Sequence, residues 1–384
     1  MRKVIAVVLA LVFGGGSLAT AQAAPPPAAW GQDGYGPGSS RYNPAESVIN
    51  SGSVDRLRLR WTVSPAHGDP GCEPSPVAPL AVGNRVFLLD GGGVAAYDAA
   101  TGKRLWRNTG FSLITANLIV AGGLVLVFDT GCESYSSYDG YVTALNAATG
   151  IQQWRKSGSW RIDTVVADAG AVVTSGYCGT CDDAEHGVVA YRLSDGAALW
   201  THLNETLAGP VSANGTILLR HTTGSNDTWA IRIGTGAPTW GTSTAPAVVA
   251  ANPAGTEFYV KDDGGLCARL AGDGRQRWQI PKEAGDLAAD GRRVYVASAG
   301  RVNTYDAKSG RLIWTRALSN PRAPIRAGGL LYTLYGNGIL AVLSPTTGRP
   351  IATGTTYKGL TQHVVAAGGR LITTQKTTIR AYTP

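Results

Sequence analysis

After residue 13 the sequence holds no apolar run approaching the about 20 residues that a membrane-crossing helix needs, so no spanning helix is expected. Charged residues are scarce, 16% against 44% hydrophobic, the reverse of the balance that keeps a chain disordered. Lysine is scarcer still, 8 of the 34 basic residues, and the basic side chains are scattered along the chain. The formal charge of +8 therefore lacks the clustered stripe that marks a nucleic-acid surface. No Ser-His-Asp spacing, His-Glu-x-x-His pair or phosphate-cradling glycine loop occurs, which leaves hydrolase and nucleotide readings without support. What is abundant points the same way as what is missing. The 51 glycines and 20 prolines oppose a helical fold, since each costs about 1 and 3 kcal/mol relative to alanine inside a helix. At 384 residues the chain exceeds the about 100–200 of one ordinary domain, yet a repeat array or closed barrel can carry all of it.

Residues 1–23 read as a secretory leader: Arg2 and Lys3, an apolar core from Val4 to Phe13, then Ala21-Gln22-Ala23 as a small-residue cleavage site. No cysteine precedes Cys72, so no lipid anchor is expected at that boundary, and the product is expected outside the cytoplasm, periplasmic or extracellular. Residues 24–56 form an extended N-terminal segment, beginning with the Pro25–Pro27 run of a tether. Five cysteines in an exported chain predict disulfides, with at least one cysteine left over.

One phrase recurs. Val94-Ala-Ala-Tyr-Asp-Ala-Ala-Thr-Gly-Lys-Arg-Leu-Trp106 returns as Val142-Thr-Ala-Leu-Asn-Ala-Ala-Thr-Gly-Ile-Gln-Gln-Trp154. Worn copies end at Trp200, Trp240, Trp278 and Trp314, Ile351 holds the tryptophan place of the last, and Trp61 looks like half of one more. The spacings of 45, 48, 46, 40, 38, 36 and 37 are those of a four-stranded propeller blade. A second phrase, small residues followed by a glycine turn and an apolar strand, appears eight times, at Gly83, Gly122, Gly170, Gly215, Gly255, Gly291, Gly328 and Gly368. Each blade is thus two hairpins. The Asp-x-x-Thr-Gly segment is a turn, and the tryptophan after it lies on the outermost strand, where its flat ring covers the adjoining blade. The final copy, Thr378–Pro384, supplies a third strand and stops, so Leu57–Val63 should supply the fourth. The fold read from these repeats is all-β, an eight-bladed propeller over residues 57–384 whose last blade is closed by an N-terminal strand.

The Ala-x-Asp-x-x-Thr-Gly-x-x-x-Trp phrase resembles the repeat of the pyrroloquinoline-quinone-like propellers over about residues 57–384. Tyr35–Pro44, Ile49 and Leu57–Trp61 are similar to the lead-in of secreted members. The family includes quinoprotein alcohol dehydrogenases and a non-catalytic lipoprotein scaffold of outer-membrane assembly. The resemblance is specific for fold and nearly silent on chemistry.

In such a blade the loops from one blade to the next and those between second and third strands emerge on one face. Three of the latter are long and adjacent: Thr130–Gly140, Ser175–Gly187 and His221–Thr228. Cys72, Cys132, Cys178 and Cys181 converge on this sector, for example as Cys72–Cys132 and Cys178–Cys181, and either staple a binding surface or merely hold long loops. Cys267, on an interior strand, reads as a free buried thiol. Glu133, Tyr135, Tyr138, Asp139, Asp182, Asp183, Glu185 and His186 are the candidate ligand-binding residues, carboxylates for a cation and tyrosines for stacking, although no fixed metal spacing is present. Glu73, where the first inner strand begins, is a further candidate ligand-binding residue. The resemblance implies that a dehydrogenase would carry a vicinal Cys-Cys ring, a Trp floor and a calcium set, and no adjacent cysteines occur. The expectation is therefore a monomeric, non-catalytic, exported binding propeller that engages a protein, an envelope polymer or a small ligand through blades 2–4. It requires no cofactor. The alternatives are a dehydrogenase dependent on pyrroloquinoline quinone and Ca²⁺, and an envelope assembly scaffold.

Overall fold

The computed structural model describes residues 28–66, 77–90, 92–111, 116–130, 139–158, 160–178, 185–225, 227–298, 300–351, 357–360, 363–375 and 377–384. The two repeated turns become the two hairpins of one antiparallel sheet. In blade 1 the strands are Leu80–Gly83, Arg85–Leu89, Gly93–Asp98 and Arg104–Thr109, paired in that order. Blades 2 to 6 repeat the pattern over 116–158, 161–203, 205–242, 247–281 and 286–317. Blade 7 has three strands of its own, Arg322–Ala327, Leu330–Tyr335 and Ile339–Leu343. Blade 8 is completed by Arg58–Val63 against Thr378–Thr383, so the ring closes by the N-terminal strand that the sequence assigns to it.

Each outer strand bends by a register shift just before its tryptophan. Ala96 pairs with Trp106 but Tyr97 with Arg104, leaving Leu105 unpaired. The same irregularity recurs in blades 2 to 6 and in the closing strand. Such a bulge re-aims one side chain, here an indole toward the next blade. It also explains why Leu105 and Ile313, the skipped residues, are exposed.

Seven blade junctions are built alike. Trp61, Trp106, Trp154, Trp200, Trp240, Trp278 and Trp314 donate from Nε1 to a carbonyl of the following blade, Ala99, Ala147, Leu193, Ile233, Ala271, Ala307 and Pro345 in turn, at 2.8–3.1 Å. Each ring lies on the glycine of the next blade's turn, Gly102 through Gly348, whose φ is +67 to +73°. A Cβ there would stand 2.5–3.0 Å from the indole. Glycine is demanded twice over, by the left-handed backbone and by the ring. The turn is held by its first residue: Asp98 Oδ1 accepts from the amides of Ala100 and Thr101 and from Thr101 Oγ1.

The inner strands carry small buried residues such as Ala81, Ala167, Ala251, Ala289, Ala327 and Ala366, and their free edges face the axis. Residues 28–43 fill it. Ala28–Trp30 pairs with blade 1. Val120 of blade 2 donates to Gly31 O (2.7 Å), and Gln32 Nε2 donates to Ala167 O of blade 3 (2.7 Å). Ser212, Ala251 and Ala289 of blades 4, 5 and 6 donate to the carbonyls of Pro37, Gly38 and Ser40 at 2.6–2.8 Å. Tyr42–Asn43 then runs parallel to blade 7, and Asn43 Nδ2 donates to Ala366 O of blade 8 (2.8 Å). One segment visits all eight blades in order. Tyr42 and Asn43 lie against the inner strand of blade 7, because unpaired inner edges need hydrogen-bond partners. No helix among the described residues is long and apolar enough to cross a membrane.

Candidate functional site

The plug contacts the ends of the inner strands, next to the hairpins at Gly83 through Gly368, so it stoppers the face opposite the long loops. On the loop face, the outer strand of blade 3 (Ala198–Leu203) turns through Asn204, at φ +57°, straight into the inner strand of blade 4 (Glu205–Leu207). Alternation places His202 on the same side as Trp200, facing blade 4. Its ring meets Trp200 edge-on at 5.2 Å. Glu205, 8% exposed, is the cross-strand neighbour of His221.

These residues form a chain of contacts. His202 Nδ1 lies 3.0 Å from Glu205 Oε2, and His221 Nε2 lies 3.6 Å from Glu205 Oε1. Trp229 Nε1 donates to His221 Nε2 at 2.8 Å. Among the described residues no donor meets Glu205 Oε2 in hydrogen-bond geometry, despite the close His202 ring. Alongside, Tyr177 and His186 pair at the base of the long second-to-third loop of blade 3 with ring centroids 5.1 Å apart, and His186 O accepts from Asn204 N. Burial pushes the nearby Asp163 carboxyl above its ordinary value, against the lowering influence of Arg161 and His186. Trp160 underlies this sector. Its indole is packed so closely on Gly187 that a Cβ there would sit 2.7 Å from the ring, and Gly140 and Gly176 are equally crowded by the Trp160–Ile162 stretch.

Glu73, Glu133, Tyr135, Tyr138, Asp182 and Asp183, with Cys72, Cys132 and Cys181, lie outside the described residues. Asp139 and Glu185 are exposed and His186 is half-buried. Cys178 is buried and disulfide-bonded. Cys267 is a free thiol that burial, then Asp262, pushes up to about 11. The sequence reading missed His202, Glu205 and Trp229. Only Trp229 had a signal: seven of ten tryptophans follow the repeat, while Trp30, Trp160 and Trp229 stand off its phase.

Residues 52–202 and 184–383 match the family described as outer membrane protein assembly factor BamB. The chain belongs to that propeller family. No curated protein matches it. Among solved structures, the quinohemoprotein alcohol dehydrogenase of Comamonas testosteroni is similar at 14% identity, with TM-score 0.64 over 92% of this chain and 80% of that one. BamB of Moraxella catarrhalis is similar at 15% identity, with TM-score 0.58 over 85% of this chain and all of that one. The computationally designed Ika8 protein is similar at 15% identity, with TM-score 0.59 over 81% of this chain and all of that one. These likenesses extend over the propeller and establish the fold.

The quinone that the dehydrogenase branch implies can be tested against the described axis. The space left among Trp30, Asp33, Arg41, Ala78, Ile325 and His363 is about 20 Å³. That holds one water, whereas pockets for drug-sized ligands begin at about 300 Å³. Among the described residues no group of His, Cys, Asp and Glu is arranged to hold a metal ion. The described residues around this space leave no room for the quinone.

Proposed function

We propose that this chain is an exported, non-catalytic binding propeller that docks a partner protein of the cell envelope on the loop face of blades 3 and 4. The observation that carries the reading is a set of large, partly exposed apolar side chains near the Glu205 contacts: Tyr177, Leu203 and Trp229 are 37%, 49% and 39% exposed. Rigid aromatics of this kind anchor protein interfaces, and Trp and Tyr lead the residues whose truncation costs most. The family description, an assembly factor for other proteins, supports a protein as the partner. Export rests on the leader-like residues 1–23, which lie outside the described residues.

The test places a photo-crosslinking residue at Leu203 in the native host, with Leu105 of blade 1 as the control position. A defined adduct is expected from position 203 alone. The purified partner should then bind Trp229→Ala more weakly by about 2 kcal/mol, roughly thirtyfold in Kd. Identical adducts from both positions, or an unchanged Kd in Trp229→Ala, would overturn the assignment.

A further inference from the structure

The opposite, plugged face holds a cavity of about 270 Å³ between the N-terminal segment and the hairpins of blades 3, 4 and 5. Gly36, Pro37 and Gly38 line it together with Tyr35 and Tyr42. Elsewhere along the plug, strand pairing at Ala28–Trp30 and Tyr42–Asn43 closes the gap to the ring. Here single hydrogen bonds from Ser212 and Ala251 hold the plug, and three residues with little or no side chain keep the space open. A Cβ on Gly36 would meet nothing within 4 Å, and its backbone is not left-handed, so glycine there is not required by the fold.

The lining states the ligand's chemistry. Neither the Tyr35 nor the Tyr42 hydroxyl has a hydrogen-bond partner among the described residues, and the two are close enough for Tyr42, after burial, to raise the Tyr35 pKa. Asn214, on the blade 4 hairpin, adds an exposed side-chain amide. The lining includes no cationic side chain. Arg326, which lies over the Tyr42 ring at 5.8 Å, is already bonded to Asp290 and to Leu330 O. The only carboxylate, Asp168, has both oxygens engaged, by Ala169 N, Ser212 Oγ and Gly215 N. An anion finds no countercharge here, and a purely apolar ligand would strand two phenolic hydroxyls and the Asn214 amide. A compact, neutral, saturated ring rich in hydroxyls satisfies them, with Tyr and Pro faces against its C–H side. The volume sits just below the about 300 Å³ of the smallest drug-sized pockets, which is room for one ring.

We infer that this cavity binds one neutral sugar ring, either a free saccharide or the terminal unit of an uncharged glycan. Saturation-transfer NMR and calorimetry of the full mature chain with glucose, galactose, mannose, N-acetylglucosamine, their disaccharides and glucuronate test it. Saturable binding of at least one neutral sugar, with glucuronate excluded, is expected. A disaccharide that binds more tightly than its monosaccharide assigns the glycan end; equal affinity assigns the free sugar. The Tyr35→Phe/Tyr42→Phe double variant should weaken binding about tenfold without moving Tm, because only two hydroxyls are lost. Gly36→Leu should abolish binding by filling the space. Failure of every neutral sugar to bind, equal binding of glucuronate, or binding that survives Gly36→Leu and the tyrosine double variant would overturn the inference.

Discussion

Seven junctions of the ring use one device, and the eighth uses none of it. Between blades 1 and 2, or 5 and 6, an indole and a turn glycine interlock, so each contact is a property of the repeat. Between blades 7 and 8 the tryptophan place is Ile351, and blade 8 has no turn between its last two strands because the chain ends meet there. Residues outside the repeat take over. Glu46, 4% exposed, accepts from Val48 and Ile49 with one oxygen and from Gly369 of blade 8 with the other. Ile49, Val54 and Leu57 are fully buried beside it, and Tyr357 meets Tyr382 edge-on at 4.9 Å. A repeated fold can standardise every joint except the one where its polymer begins and ends.

The interlocked joints are where damage should be greatest. Trp278→Ala removes a buried indole and its bond to Ala307 O, and should cost about 3–5 kcal/mol in urea unfolding. A loss under 1 kcal/mol would mean the indole is decoration rather than a joint. Next come two glycines of equal backbone hand. Gly150→Ala adds a Cβ 2.6 Å from the Trp106 ring, whereas Gly123→Ala, at φ +78°, meets nothing within 4 Å. Both pay about 1 kcal/mol for the left-handed conformation, and only Gly150→Ala adds about 1–3 kcal/mol of overpacking. Equal melting temperatures for the two variants would refute the second demand on the turn glycine.

The smallest effect concerns pH. Glu283, at an ordinary joint, is buried, which raises its carboxyl, but hydrogen bonds from Ser298, Tyr305 and Asn303 outweigh burial and hold it below its usual value. A carboxyl depressed in the folded state contributes fully above its unfolded pKa of about 4.3, and that contribution is lost as pH falls through the folded value. Glu283→Gln should therefore flatten the acid limb of the stability curve while leaving its neutral slope unchanged. Identical acid limbs in the two proteins would remove Glu283 from the acid response.

Periodicity made the ring legible. The blade number, the split closure by Arg58–Val63 and the long loops of blades 2–4 all follow from repeated turns and the gaps between them. The plug was not legible, because carbonyls such as Pro37 O and Gly38 O carry its contacts, and backbone recognition leaves no side-chain pattern. The Glu205 contacts were hidden for another reason. They span a blade boundary, with His202 from one repeat and His221 from the next, so neither copy of the repeat shows the pair.

The plug also sets an order of events. Its hydrogen bonds reach from Asn43 to Ala366, a separation of 323 residues, and those in between need every inner strand in place. Contacts so distant in sequence form slowly, since a long loop must close before they reward it. The segment nearest the beginning of the chain is thus among the last to be satisfied. Until the eighth blade arrives, it remains a strand in search of edges, and the edges of a half-built ring remain in search of it.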